Sequence, residues 1–286
     1  MKIGLVLEGG GMKCAYGAGI IDGFLQDGIT FDECVAVSAG SGNMCSYLAG
    51  QRGRNLRFYT THVEDPDYVG VRPFLKTGDF FNLHFIYGKL FNEDGPDALD
   101  YNTMMKNPTE GWIVATDAVT GEPKYFPKSG MRRNDYREIM CSCAIPALCN
   151  PVKLNGRYYF DGGLADPIPY KKAFSDGCDR IVAVLGNRRN FIRQPQKFKA
   201  LYTAKLHKYP VIAKMLANRH TSYRKEQIGI YEEEKSGRAF IFAPPDDFPV
   251  KTTTSDITTL QKLYDRALKD YEQQKEDFFR FIGKDL

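Results

Sequence analysis

The feature that most constrains this chain is a unit that occurs twice in its first fifty residues. Each copy is a short apolar run, an abrupt break at small residues, and then a helix-forming stretch. Ile3–Leu7 runs into Gly9-Gly10-Gly11, and a helix is expected from about Cys14 to Gln26, with Ile20, Ile21, Phe24 and Leu25 on one face. Cys34–Val37 breaks at Ser38-Ala39-Gly40, and a second helix leads on towards Leu48. Tandem strand–turn–helix units predict a parallel sheet covered by helices.

The rest of the chain extends that pattern. Gly111–Thr116 is a third core strand, and the turn Thr120-Gly121-Glu122-Pro123 leads to a hairpin partner at Lys124–Phe126. Asn134 is expected to cap a helix running through Met140. Val152–Leu154 and Arg157–Tyr159 flank Asn155-Gly156, the dipeptide best suited to a tight primed turn. A helix is expected at Pro169–Ser175, a buried strand at Arg180–Leu185, and a long helix from about Ser255 to Ile282. Residues 65–102 are aromatic and loop-rich and give no clear assignment. No repeat and no linker divides the chain, so the expectation is one domain over residues 1–286 with a helical C-terminal extension from about residue 190. With 286 residues, 43% of them hydrophobic, the chain can bury a core without staples. Its seven cysteines are odd in number and irregularly spaced, and read as reduced, buried thiols of a cytoplasmic protein. Met1-Lys2 and Ile3–Leu7 read as the start of a core strand rather than a signal peptide, and no apolar run reaches the roughly 18 residues of a membrane span.

Three segments carry candidate chemistry. In Ala36-Val37-Ser38-Ala39-Gly40, a serine between small residues on a strand-to-helix turn fits a nucleophile elbow. A serine capping a helix fits this segment equally well. Gly9-Gly10-Gly11-Met12-Lys13 sets backbone N–H groups at a helix start, where they can hold phosphate or a tetrahedral oxyanion; a tight turn explains the glycines too. Its spacing is neither that of a P-loop nor that of a dinucleotide fingerprint. Asp161-Gly162-Gly163, taken alone, is more often a turn than a catalyst. None of the four histidines, His62, His84, His207 and His220, lies near a recognisable motif, so the base left for Ser38 is an aspartate acting directly.

Taken in order, Glu8-Gly9-Gly10-Gly11-Met12-Lys13, Ala36-Val37-Ser38-Ala39-Gly40 and Asp161-Gly162-Gly163 resemble the patatin-like phospholipase family, and the basic Lys208-Tyr209-Pro210 and Arg219-His220 region resembles a bacterial branch of it. Val114-Ala115-Thr116-Asp117, Ser142-Cys143-Ala144-Ile145-Pro146-Ala147 and Asp166-Pro167-Ile168-Pro169 add to the resemblance. It implies a three-layer α/β/α sandwich with a mostly parallel central sheet. It also implies a Ser–Asp dyad of Ser38 and Asp161, an oxyanion hole at Gly9, Gly10 and Gly11, and substrate or anion binding at Met12 and Lys13, with no metal and no cofactor. Two positions depart from the family pattern: Ala36 replaces the first elbow glycine, and Cys14 stands where a glycine is usual.

The implied activity is that of a lipid acyl hydrolase of phospholipase A or lysophospholipase type. The alternatives are a general carboxylesterase or thioesterase, and a non-catalytic lipid-binding protein on the same fold. Phe74, Phe80, Phe81, Phe85, Ile86 and Tyr87 suit either an acyl channel or ordinary core under a loop. No Asp or Glu occurs between Asp179 and Glu226. The basic stretch 188–225 suits contact with anionic lipid headgroups on the inner face of a membrane, and equally a solvated helix face. No recognition motif for nucleic acid accompanies it.

Overall fold

The computed structural model describes residues 1–247 and 250–284. Its centre is an eight-stranded sheet: β1 (Ile3–Leu7), β2 (Glu33–Val37), β3 (Glu110–Asp117), β4 (Pro123–Pro127), β5 (Val152–Leu154), β6 (Arg157–Asp161), β7 (Arg180–Val184) and β8 (Ala239–Phe242). The strand order is β5-β6-β3-β2-β1-β7-β8, with β4 also paired to β3. Parallel ladders join β3, β2, β1, β7 and β8, while β4, β5 and β6 are added by antiparallel pairing.

The central strands are apolar on both faces because both faces are covered. Leu5, Leu7, Cys34, Ala36, Ile113 and Val182 enter one core, and Val6, Val35, Val37, Val114, Ile181 and Ala183 enter the other. The helices supply the outer layers. They are α1 (Ala15–Gln26), α2 (Ala39–Leu48), α3 (Arg54–Thr60), α4 (Val71–Thr77), α5 (Tyr101–Lys106), α6 (Arg137–Cys143), α7 (Tyr170–Ser175), α8 (Lys199–Lys205), α9 (Pro210–Lys235) and α10 (Ile257–Ile282). α10 packs along α1, where Gly19 and Gly23 leave no room for a Cβ against Tyr264, Ala267 and Tyr271. On the opposite face α7 packs on β1, β2 and β7, and α9 packs on β8. The arrangement is the helix-covered parallel sheet expected from the tandem units and the α/β/α sandwich that the family resemblance implies. The C-terminal residues are woven into it, since β8 pairs with β7 and α10 covers the first core.

Two local expectations change. Asn134 does not cap α6. It sits at φ +60°, its side-chain oxygen accepts the Glu93 N–H at 2.9 Å, and the helix begins only at Arg137. The unassigned aromatic stretch holds α4 and a π-helical turn at His84–Leu90. The Asn155-Gly156 hairpin is as expected, with both residues at positive φ, +48° and +80°. All seven cysteines are buried and unpaired. Among the described residues no helix is long and apolar enough to cross a membrane.

Candidate active site

Sheet register brings Ser38 and Asp161 together across 123 positions of sequence. Val37, the last residue of β2, pairs with Val114 of β3, and Asp161, the last residue of β6, pairs with the adjacent Ala115. The other edge of Val114 and Ala115 is taken by β4. β2 and β6 therefore meet head to head along one edge of β3, and their ends turn into the same space.

Ser38 turns there under strain. Its backbone is at φ +53°, ψ −133°, a region that side-chain-bearing residues seldom occupy. The turn is packed so closely that a Cβ on Gly40 would fall 2.8 Å from the Glu8 carbonyl oxygen and 2.9 Å from that of Leu7. Ala36, where the family pattern has glycine, is fully buried in β2. Ser142 on α6 holds the elbow in place. Its hydroxyl accepts the Ser38 N–H at 2.7 Å and donates to the Val114 carbonyl, with Ser41 Oγ a further 3.2 Å neighbour.

Asp161 is buried, its carboxylate accepts the Gly163 N–H at 2.8 Å, and it shares the lining of one cavity with Ser38. Burial pushes its pKa above the usual carboxylate value. Arg219, the Ser38 hydroxyl, the Gly163 N–H and Arg193 each pull it back down.

The glycine loop lies against the serine. A Cβ on Gly9 would meet Ser38 Cβ at 2.7 Å, so only glycine permits this approach. Gly11, at φ +57°, passes under the Thr252 carbonyl, which accepts the Met12 N–H at 3.1 Å. Lys13 donates to Asn187 and lies 5.5 Å from the Phe191 ring centroid. Asn187 in turn donates to Glu8, whose other oxygen accepts the Gly186 N–H. Burial lowers the Lys13 pKa to about 8, with Glu8 opposing and Arg193 and Arg219 reinforcing the shift. Cys14 is buried, its thiol pushed up to about 12 by desolvation, and it points at the Glu8 carbonyl rather than into the cavity.

Two cavities meet at Ser38. One is apolar, lined by Met12, Phe58, Tyr59, Phe81, Ile86, Tyr87 and Phe91 among others. The second, of ≈ 250 Å³, is polar and holds Gly9, Gly10, Gly11, Lys13, Asp161, Arg193 and Arg219. Of the residues expected to border an acyl channel, Phe81, Ile86 and Tyr87 do. Phe74, Phe80 and Phe85 do not: Phe74 is 40% exposed with Lys205 over its ring, and Phe85 packs edge-on against Tyr68. Met12 belongs to the apolar wall and Lys13 to the polar one. Arg193, Arg219 and Asn187 were not expected as site residues from the sequence. Their one signal there is the long basic stretch without an acidic residue. Ser142 stood within a quoted motif, but its hydrogen bonding is a matter of tertiary contact.

A family model described as patatin-like phospholipase matches residues 5–174, and one described as a domain of unknown function (DUF6363) matches residues 209–283. The uncharacterized protein YjjU of Escherichia coli (strain K12) is 24% identical over 267 residues, covering 92% of this chain and 74% of YjjU. Among solved structures, VipD from Legionella pneumophila superposes with a TM-score of 0.52 at 16% identity, over 96% of this chain and 66% of VipD, and so shares the fold. The chain thus spans just under two thirds of the length of VipD. The patatin-like match covers more than half of the sequence and includes the glycine loop, Ser38 and Asp161, so the chain belongs to the patatin-like phospholipase family.

Proposed function

We propose that the chain is a serine acyl hydrolase that cleaves lipid esters through Ser38 and Asp161. One observation carries this reading: a strained serine, in the same cavity as a buried carboxylate, stands where an apolar and a polar cavity meet. Strain at a turn packed this tightly is costly, and it aims Ser38 Oγ at the cavity.

In the first half-reaction Asp161 takes the Ser38 proton as Oγ attacks the ester carbonyl. The oxyanion is stabilised by N–H groups of Gly9, Gly10 and Gly11, with Lys13 adding positive potential. The alcohol leaves with the proton from Asp161, and an acyl-Ser38 ester remains. Water, deprotonated by Asp161, then releases the carboxylic acid and restores Ser38. The raised pKa of Asp161 brings this base nearer the pH at which it must work. The acyl chain lies along the apolar cavity between Phe58, Phe81, Ile86 and Phe91, which favours a lipid ester over a short carboxylester.

The test is release of fatty acid from acyl esters of increasing length by the wild type, Ser38→Ala and Asp161→Asn. The reading expects rates that rise with chain length and fall by about 10³–10⁴ in both variants. An active Asp161→Asn would remove Asp161 as the base. A preference for two- to four-carbon esters would favour a general carboxylesterase.

A further inference from the structure

The polar cavity holds two cations, Arg193 and Arg219, to which the proposed acyl transfer gives no part. Three cations border it, Lys13, Arg193 and Arg219. The two carboxylates that reach it already accept hydrogen bonds, Glu8 from Gly186 and Asn187, and Asp161 from Gly163. Among the described residues neither Arg193 nor Arg219 forms an ion pair with a carboxylate, and the Nε of each is buried without a hydrogen-bond partner. The other arginines of this stretch differ. Arg189 pairs with Glu234, Arg188 donates to the Asp246 carbonyl, and Arg224 donates to Gln227.

Both guanidinium groups are held in position. Arg193 lies 4.5 Å from the Tyr223 ring centroid and 5.4 Å from that of Phe191. Arg219 follows Leu216 by three residues and precedes Tyr223 by four, so one face of α9 presents all three to the cavity. Leu216 anchors that face in a small core with Phe160 of β6, the residue before Asp161. Arg219 reaches as far as Gly163, where a Cβ would stand 3.3 Å from its terminal nitrogen. Mutual repulsion is part of the arrangement: burial and Arg219 together lower the Arg193 pKa to about 10. Such a cluster is relieved by an anion, and the planar guanidinium fork matches phosphate oxygens.

We propose that Arg193 and Arg219, supplied by the chain beyond the patatin-like segment, form a phosphate-recognition subsite beside Ser38 that selects acyl esters whose headgroup phosphate carries no neighbouring cation. A zwitterionic headgroup would bring a fourth cation to three already present. The proposal rests on Ser38 being the reacting group, because it is the closeness to Ser38 that makes this phosphate part of the substrate.

Binding is measured by calorimetry on the full chain carrying Ser38→Ala, so turnover plays no part in the readout. The probes are dodecyl phosphate and dodecylphosphocholine below their micelle concentrations, together with inorganic phosphate. Dodecyl phosphate is expected to bind at least about tenfold tighter than dodecylphosphocholine, and Arg193→Gln with Arg219→Gln to erase that preference. Inorganic phosphate is expected to displace dodecyl phosphate only at much higher concentration. Should the Gln variants not fold, Arg193→Lys and Arg219→Lys keep the charge, lose the fork, and are expected to reduce the preference. Equal binding of the two amphiphiles, or a preference kept in the double variant, overturns the proposal. Inorganic phosphate binding as tightly as dodecyl phosphate overturns the headgroup assignment in favour of free phosphate. If the arginines serve only to keep Asp161 ionised, their variants shift the pH profile of ester hydrolysis and leave headgroup preference intact, which also overturns the subsite. Failure of the hydrolase reading is seen separately, as absence of ester cleavage by the wild type.

Discussion

The two walls that meet at Ser38 are built by different logics. The apolar wall comes from α2, α3 and the aromatic stretch that follows, and its side chains are continuous with the first core. Met12, Phe81 and Phe91 are buried there as deeply as ordinary core residues. The polar wall comes from the glycine loop, from residues 145–148, from Asp161, Gly163 and Pro167, and from residues after β7, and it gathers three cations against two carboxylates. One wall stabilises the fold by excluding water. The other lowers stability in order to keep charged groups dry, which is the usual compromise of a reactive site. The contrast teaches that the core continues on one side of the serine while the charged groups gather on the other.

The largest expected effect removes the carboxylate beside the serine at which both walls meet. Asp161→Asn should lower kcat/KM by about 10³–10⁴ on short and long esters alike, as measured by steady-state kinetics. A loss confined to one chain length would mean that the two walls serve separate reactions. Next, Ile86→Phe should narrow the apolar wall and cost about tenfold in kcat/KM for long-chain esters, and less for short ones. Equal losses at every length would remove the apolar cavity as the acyl site.

Ser142→Ala addresses the elbow between the walls. It leaves the Ser38 N–H and the Val114 carbonyl without their partner, at a cost of about 1–3 kcal/mol in denaturant unfolding. An unchanged midpoint would mean that the elbow holds its strain without Ser142. The smallest effect is in pH. Asp161 has a folded pKa raised by burial, so its ionised form costs stability. That cost is absent below the unfolded carboxylate value near 3.8 and complete once pH exceeds the folded value. Thermal unfolding should therefore show Asp161→Asn gaining on the wild type as pH rises through that window, and hydrolysis by the wild type should rise over the same window. A gap that narrows with rising pH would contradict a raised pKa.

Much of this was legible in the sequence, and the reasons are physical. Ile3–Leu7, Cys34–Val37 and Gly111–Thr116 are apolar runs of strand length ended by small residues, and each became a central strand. Asn155-Gly156 demanded its turn through backbone preference alone. Asn134 misled because an asparagine at positive φ serves a loop as well as a cap, and here its side chain is engaged by Glu93. Phe74, Phe80 and Phe85 shared the composition of a channel lining but sit on other faces of short elements, and composition does not set direction. The basic stretch 188–225 read as a surface. Most of it is, yet Arg219 turns inward with Leu216 and Tyr223 on one face of α9, and Arg193, from the loop before α8, lies over the Tyr223 ring. Long-range packing of that kind leaves no periodic trace near the residues it selects.

The central claim is that Ser38 is an activated nucleophile. Its most direct test is labelling of the folded wild-type protein with a fluorophosphonate, the adduct being located by peptide mass spectrometry. The account predicts one phosphonylated residue, Ser38, with labelling lost in Ser38→Ala and strongly slowed in Asp161→Asn. A well-folded wild type that takes up no label, or that is labelled at another serine, would contradict it.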